Sequence, residues 1–440
     1  MKIVDGVYFF ESGDNTYLRN VNNAQDYLFN AIVFDILTII KNNPDCGLEF
    51  LCQELTQIYD IEDKEELYND LTFFIEELTE NGVIICPKEK EKAVSESIAD
   101  IVSAERGKNR KLYSAALELT YRCNEKCIHC YVDDAPVDDK NELSFDEYKM
   151  ILHQLKELGC ISLLLTGGEV CLNKDFIDIA RYAASLGFLV DIYTNGIAMT
   201  DEQFEALCDM KVNSVSFSLY AGDAAAHDAI TKVPGSFDKT LKRAMMFKCA
   251  GVDTYIKSVA IKQNIEHLEG LYKLGERIGI KINVGTVIVN THSGVDANCF
   301  RLETQEQRRK VLEVAKKYDT ATETSGERDL NEPICSAGIN SLSIDPYGGV
   351  HPCLIFSTEV ASVREVPIKD IWDNNPFINS LRKLRFTDLG GKCRSCKHLR
   401  KCTVCIGSAY GEFGTLCTNA DACDWTEMRH EIANSNFSCN

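Results

Sequence analysis

Three cysteines stand within eight residues of one another in the segment Cys123-Asn-Glu-Lys-Cys127-Ile-His-Cys130. Three thiolates at this spacing can bind three irons of a cubane iron–sulfur cluster, and the fourth iron then has no protein ligand. Such an open iron can bind a substrate or a second cofactor. Structural zinc, which prefers four ligands in paired halves, is the alternative.

A second group of cysteines lies near the carboxyl end of the sequence. Its members are Cys335, Cys353, Cys393, Cys396, Cys402, Cys405, Cys417 and Cys423. The chain has 20 cysteines in all. Its first residues show no secretory pattern, so we expect a cytoplasmic protein. Disulfides are rare in the cytosol, and these cysteines therefore indicate metal ligands. A zinc ribbon is again the alternative.

Small and polar residues follow three predicted strands. They form Thr166-Gly167-Gly168-Glu169, Thr194-Asn195-Gly196 and Ser216-Phe217-Ser218-Leu219. Glycines let a backbone approach a ligand closely, and a carboxylate can pair with an ammonium group. By themselves, these residues would equally suit ordinary turns at strand ends.

Alternating strand and helix patterns must position these residues. The predicted strands are Ala115–Tyr121, Ser162–Thr166, Leu189–Thr194, Ser214–Leu219, Thr254–Ile261 and Lys281–Val289. Ser144 and Glu147 form a capping box that starts one helix, and Gly159 ends it. About six such units predict an α/β fold with a parallel sheet, a partial (β/α)6 barrel over residues 112–318. Functional groups are then expected at the carboxyl ends of the strands.

Residues outside the barrel form two further predicted domains. Residues 1–92 contain a hairpin over residues 7–18, a helix over Ala24–Asn42, two more helices and a small strand, an order typical of a winged-helix-like module. A charged linker follows over 88–110. Residues 330–440 have little regular pattern, so we expect metal to hold them together. The net charge of −20 argues against nucleic-acid and membrane-surface binding.

The first cysteine motif and the GGE motif resemble those of the radical S-adenosylmethionine (SAM) superfamily. The resemblance implies that Cys123, Cys127 and Cys130 bind a 4Fe–4S cluster whose open iron is chelated by SAM. It implies that Gly167, Gly168 and Glu169 hold the methionyl amino group. It also implies that His129 lies beside the adenine, and that Asn195 and Ser218 help to bind the ribose and carboxylate. His227-Asp228 and Gly235-Ser236-Phe237 also match, and we interpret them as mainly structural.

The carboxyl-terminal cysteines resemble the SPASM extension of these enzymes, which implies two auxiliary 4Fe–4S clusters and three clusters in all. By this resemblance, Cys335, Cys353 and Cys405 bind the inner cluster. The ligands of the outer cluster are then Cys393, Cys396, Cys402 and Cys423. Cys417 either completes the inner cluster or leaves an open iron for a substrate thiolate.

With these two domains, the amino-terminal module resembles the leader-peptide recognition element of ribosomal peptide maturases. The implied partner is a precursor peptide whose leader adds a strand to a sheet edge. The implied activity abstracts hydrogen with a 5′-deoxyadenosyl radical and installs a thioether or carbon–carbon cross-link, with flavodoxin or ferredoxin as reductant. The alternatives are a generic helical cap in place of the recognition module, a sulfatase-maturing enzyme that makes formylglycine, and a non-catalytic electron-transfer or peptide-carrier protein.

Overall fold

The computed structural model describes the chain except residues 5–6, 13–14, 21–24, 31, 45, 60, 62, 86–110, 133–136, 139–140, 292–295, 319–327 and 435–440. The predicted linker at 88–110 and the hairpin turn at 13–14 lie outside the described residues. The chain divides into two compact units, Met1–Glu96 and Ser97–Asn440. No helix among the described residues has the length and apolarity needed to cross a membrane.

The amino-terminal unit combines a small antiparallel sheet with three helices. In chain order its elements are β1 Lys2–Ile3, β2 Val7–Ser12, β3 Asn15–Asn20, β4 Gln25–Asn30, α1 Ile32–Asn42, α2 Leu48–Ile58, α3 Lys64–Glu80 and β5 Ile84–Ile85. The sheet has the order β2-β3-β4, and β1 pairs separately with β5. Helix α1 buries Val33, Ile36, Leu37 and Ile40, the spacing of one helical face. The predicted hairpin, the second and third helices and the small strand are therefore present.

Residues 24–42 differ most from their prediction. The sequence predicts one helix over Ala24–Asn42, but the first part of this range is strand β4. Tyr27 and Phe29 of β4 both pack against the core of the amino-terminal unit. Aromatic residues at alternate positions suit a strand, and pairing with β3 supplies the hydrogen bonds that a helix would otherwise make.

The larger unit is built on one nine-stranded sheet. Its first part comprises β6 Ser114–Glu118, α4 Phe145–Glu157, β7 Ser162–Thr166, α5 Phe176–Ser185, β8 Leu189–Thr194, α6 Asp201–Asp209, β9 Ser214–Ser218, α7 Ala224–Thr231, α8 Ser236–Cys249, β10 Thr254–Val259, α9 Leu268–Ile278, β11 Lys281–Gly285 and α10 Gln305–Tyr318. Strands β6 to β11 lie side by side in chain order and are all parallel. The predicted α/β class and the six βα units are confirmed. The capping box of α4 forms, since the Glu147 amide donates to Ser144 Oγ and the Ser144 amide donates to Glu147 Oε2.

Each barrel strand has one apolar and one polar side. Leu117, Leu165, Ile192 and Phe217 join the main hydrophobic core beneath the helices. Side chains on a strand alternate between its two faces, so the residues between them face the other way. On that side, the Lys257 ammonium lies 4.2 Å from the centroid of the Tyr193 ring. This side of the sheet therefore carries polar groups, as a binding cavity requires.

The carboxyl-terminal region has more regular structure than the sequence predicts. It contains β12 Ser341–Ile344, β13 Gly349–His351, β14 Ala361–Ser362, α11 Ile368–Asn374, α12 Pro376–Lys383, α13 Ile406–Phe413 and α14 Ala420–Asn434. β12 pairs in parallel with β6, and β13 and β14 continue the sheet in antiparallel register. A small core includes Ile334, Phe356, Leu381 and Phe386. Most of these helices are two turns long, too short for a clear hydrophobic period.

Candidate functional site

The Cys123–Cys130 segment follows β6 and lies at the carboxyl edge of the parallel strands. The loops after the next two strands hold it there. The Gly168 amide donates to the Thr120 carbonyl at 2.7 Å, and the Glu169 amide donates to the Arg122 carbonyl at 2.8 Å. The Asn195 side-chain amide donates to Asn124 Oδ1 at 2.9 Å. The structure thus brings the first cysteine motif, the GGE motif and Asn195 together.

The two glycines allow this backbone contact. A Cβ on Gly167 would lie 2.4 Å from the Thr120 carbonyl oxygen, and one on Gly168 would lie 2.5 Å from the Arg122 carbonyl oxygen. Gly167 also has a φ of +147°, which other residues rarely adopt. The two glycines therefore allow the loop after β7 to lie against the loop after β6, besides allowing a ligand to approach the backbone.

The residues present fit an iron–sulfur cluster. Burial raises the pKa of the Cys123 thiol to about 12 and raises that of Cys127 further. The charges of Glu169 and Cys130 add to the increase at Cys123, and those of Glu125 and Cys130 add to it at Cys127. Thiolates therefore need a compensating positive charge, which iron provides. Cys123 and Cys130 line a cavity of about 200 Å³. Among the described residues, no three His, Cys, Asp or Glu side chains form a group that could hold a single metal ion.

Glu169 is fully buried and well bonded. Its carboxylate accepts hydrogen bonds from the Thr194 hydroxyl at 2.5 Å, the Asn195 amide at 2.6 Å and the Cys171 amide at 3.2 Å. Burial raises the pKa of the Glu169 carboxyl, and these donors oppose the increase. A carboxylate offers about four acceptor sites, so at least one is left for an ammonium group. Val170, where the family has proline, begins a short 3-10 turn, so the chain still turns here.

The half-buried His129 packs against Tyr220, with the two ring centroids 4.6 Å apart and the rings nearly perpendicular. Burial lowers the pKa of His129 to about 4, so the imidazole is neutral at pH 7. Its Nδ1 atom is buried and has no hydrogen-bond partner among the described residues. Ser218 ends β9 and hydrogen-bonds Tyr220. Sequence reasoning missed Tyr220, although it follows Leu219 directly.

His227 and Asp228 lie in α7, and their side chains hydrogen-bond the loop after β9 and the start of α8. The Asp228 carboxylate accepts hydrogen bonds from the Gly235 amide, the Ser236 hydroxyl and the Phe237 amide. His227 Nδ1 accepts from the Tyr220 amide at 3.1 Å, which fixes the aromatic residue beside His129.

Glu118, the last residue of β6, was also missed. Its carboxylate accepts a hydrogen bond from the Tyr131 hydroxyl at 2.7 Å and a longer one from Tyr121 at 3.4 Å. Burial raises the pKa of Glu118 to about 7; the Tyr131 hydrogen bond and the charge of His351 oppose this increase, while Asp345 adds to it. His351 and Asp345 themselves pair at 3.1 Å. A buried acid in a strand of apolar residues is the sequence signal that could have identified it.

The carboxyl-terminal cysteines form two groups in the structure. Burial raises the pKa of Cys353 to about 12, and the charges of Cys335 and Cys405 add to the increase. Burial likewise raises the pKa of Cys423, and here the added charges belong to Cys393, Cys402 and Cys396. The two predicted ligand sets themselves stay predictions. The Thr415 hydroxyl donates to Cys417 Sγ at 3.6 Å, and the role of Cys417 stays a prediction.

For the nine remaining cysteines, the sequence favours buried apolar thiols over metal ligands. Cys160 and Cys171 are buried, and Cys46, Cys52 and Cys208 are half-buried. The prediction is wrong for Cys249 and Cys299, which lie exposed at the end of α8 and in a 3-10 turn. Cys86 and Cys439 lie outside the described residues.

Known families match the two cysteine regions separately. Residues 117–275 match the radical SAM superfamily, and residues 335–397 match the SPASM iron–sulfur cluster-binding domain. A radical SAM domain binds SAM and a 4Fe–4S cluster, and a SPASM domain binds auxiliary clusters.

Several characterised proteins are similar over most of the chain. AdoMet-dependent heme synthase of Methanosarcina barkeri is 27% identical over 68% of this chain and 92% of that protein. Mycofactocin maturase MftC of Mycolicibacterium smegmatis is 29% identical over 65% of this chain and 75% of its own. The fold of Streptococcus suis SuiB, solved with precursor peptide SuiA, covers 96% of this chain and 99% of SuiB, at 17% identity and a TM-score of 0.58. The chain is therefore a radical SAM enzyme with a SPASM iron–sulfur cluster-binding domain.

Proposed function

We propose that this enzyme matures a ribosomally made precursor peptide. It cleaves SAM to a 5′-deoxyadenosyl radical, removes a hydrogen atom from the peptide and installs an intramolecular thioether or carbon–carbon cross-link. The observation that carries this proposal is the fold shared with SuiB over 96% of the chain, a span that includes the amino-terminal unit. The similarity to the maturase MftC supports the same class of substrate.

The amino-terminal unit offers a surface for the leader. Strand β4 is an edge of its sheet and pairs only with β3 among the described strands. Phe29 of β4 packs edge-on against Phe74 of α3, with ring centroids 5.6 Å apart. The next residue, Phe73, is 78% exposed. A leader added along β4 would find backbone donors and acceptors beside an apolar side chain, the combination that strand addition uses.

The larger unit supplies the remaining roles in this proposal. Cys123, Cys127 and Cys130 hold the SAM-binding cluster, which when bound supplies the electron that splits SAM. Glu169 binds the methionyl amino group, Asn195 and Ser218 bind the polar parts of SAM, and the neutral His129 lies beside the adenine. The two carboxyl-terminal groups hold the auxiliary clusters. A flavodoxin or ferredoxin in the cytoplasm is the proposed reductant.

The test uses reconstituted enzyme under anaerobic conditions with SAM, a chemical reductant and candidate precursor peptides encoded beside its gene. We expect one peptide to lose two hydrogen atoms per cross-link by mass spectrometry, with formation of 5′-deoxyadenosine. A variant without residues 1–92 should still cleave SAM but not cross-link the full precursor. A Cys123→Ala variant, which should do neither, is the control. Recovery of unmodified peptide with active enzyme would contradict the proposal.

Two other activities give different results in the same assay. A sulfatase-maturing enzyme would act without the amino-terminal unit, so full turnover by the truncated variant would favour it. A tetrapyrrole-modifying enzyme is the second candidate, because the heme synthase of M. barkeri is matched over 92% of its length. Consumption of a porphyrin substrate, with no peptide modified, would favour that activity.

A further inference from the structure

A buried acid lies inside the first cysteine motif. Glu125 stands between Cys123 and Cys127 and is only 4% exposed. Its Oε2 atom accepts a hydrogen bond from the Cys127 thiol at 3.4 Å, and its Oε1 atom has no partner among the described residues. With Cys123 and Cys130 it lines the cavity beside the cysteines. A buried carboxylate ordinarily needs a cation or several donors, and Glu125 has neither.

The charged groups around Glu125 increase the free-energy cost of keeping its carboxylate ionised. Its interacting charged neighbours are Glu169 and Asp228, which are both acidic. Arg122 and Lys126 line the same cavity; the Arg122 guanidinium pairs with Glu142 at 3.2 Å, and the Lys126 side chain is exposed. The ion pairs of the described part of the chain do not include Glu125. A bound molecule with a positive group would therefore supply a charge that no ion pair among the described residues gives this carboxylate.

Loading the site removes the one donor that Glu125 has. A cysteine that binds iron is a thiolate, so Cys127 can no longer donate a proton. Both Glu125 oxygens then lack a donor, next to a negatively charged sulfur. SAM carries two positive groups, an ammonium and a sulfonium. Glu169 already accepts three hydrogen bonds from the protein and can take the ammonium with its remaining capacity.

We propose that Glu125 is a second SAM-binding carboxylate, which faces the positively charged sulfonium side of the cofactor while Glu169 holds its amino group. Glu125 then acts as a positioning residue, because it orients the sulfonium centre at the open side of the cysteine motif. The inference rests on membership of the radical SAM superfamily and does not depend on the peptide substrate.

The test compares SAM binding by reconstituted full-length enzyme and by Glu125→Gln, which keeps the shape and removes the charge. We expect the variant to retain its iron and to bind SAM about tenfold more weakly by calorimetry. S-adenosylhomocysteine has the ammonium but no sulfonium charge, so its affinity should fall by less than about twofold. Glu157→Gln, which changes an exposed carboxylate at the end of α4 and outside the cavity, should leave both affinities unchanged.

Other outcomes would overturn the proposal. Unchanged SAM affinity would overturn the proposal, and a shifted cluster potential measured without SAM would then confine the role of Glu125 to the cluster. An equal loss for SAM and S-adenosylhomocysteine would place Glu125 away from the sulfonium. If Glu125→Gln fails to take up iron, Glu125→Asp keeps the charge at a shorter reach. In that variant, normal iron content with equal changes in affinity for SAM and S-adenosylhomocysteine would overturn the proposal.

Discussion

The two cysteine regions differ in what holds them in place. The barrel motif is fixed by backbone hydrogen bonds from distant parts of the chain: the Lys126 amide donates to Thr231 at 3.0 Å, and the Ile128 amide donates to Ile230 at 3.0 Å. Of the outer carboxyl-terminal cysteines, Cys423 lies in α14, and Cys393, Cys396 and Cys402 lie in and beside two 3-10 turns, Gly391–Ser395 and Leu399–Lys401. The backbone amides of Cys393, Cys396 and Cys402 each donate to a carbonyl only three residues earlier in the chain. The fold therefore supports the first motif, whereas the second depends more on what it binds.

Removing ligands should give the largest contrast between the regions. Cys123→Ala/Cys127→Ala/Cys130→Ala should lose one of three clusters and all SAM cleavage but keep its fold. Cys393→Ala/Cys396→Ala/Cys402→Ala should also lose one cluster, and amide hydrogens over residues 391–405 should then exchange faster by about tenfold or more. Iron analysis and hydrogen-exchange mass spectrometry test both variants. An equal increase in the amide exchange rate around both cysteine regions would contradict the comparison.

The buried Glu118 should make the barrel sensitive to pH. Its pKa of about 7 in the fold is above the usual 4.5, so the folded protein holds this proton more tightly than the unfolded chain. The stabilisation by protonated Glu118 is complete below pH 4.5 and is lost as the pH rises through 7, by about 3 kcal/mol. In Glu118→Gln this pH dependence should be absent.

Urea unfolding at pH 5 and pH 8, followed by the emission of Trp372 and Trp425, measures the effect. Both tryptophans are buried in the larger unit, so their emission reports its unfolding. If the free energy of unfolding changes equally in the wild type and in Glu118→Gln between pH 5 and pH 8, Glu118 is not the group responsible.

A glycine substitution should have a smaller and more local effect. An alanine at Gly168 would place Cβ 2.5 Å from the Arg122 carbonyl oxygen, and the cysteine loop would have to shift. We expect a loss of about 1–3 kcal/mol in stability and weaker retention of the first cluster. Gly411→Ala is the control, because nothing lies within 4 Å of its Cβ. Calorimetry and iron content measure the two effects, and equal results for both variants would contradict the prediction.

The barrel and its cysteine motif were predictable because their signals are local. The strands β7 and β8 have their predicted bounds, and the capping box at Ser144 forms as its spacing indicates. The cysteine motif follows a strand in the sequence, and parallel pairing necessarily brings it to the edge where Glu169 lies.

The missed features depend on contacts between distant residues. Gln25–Asn30 is compatible with a helix until β3 is known to pair with it. The pairing of β12 with β6 joins residues far apart in sequence, and no local pattern indicates it. The burial of Glu118 and Glu125 is likewise invisible in the sequence, since their environment comes from loops and strands elsewhere in the chain.

The pairing of β6 with β12 also affects how the protein is made. Ser114 of β6 pairs with Ser341 of β12, so more than 200 residues separate the two partners. A ribosome that adds roughly 5–20 residues per second needs on the order of ten seconds or more to make this stretch. During that time β6, with the cysteine motif at its end, has one edge open to other strands. Chains that stop before Ser341 should therefore aggregate through this edge, and completion of the carboxyl-terminal region protects the strand on which the first cluster depends.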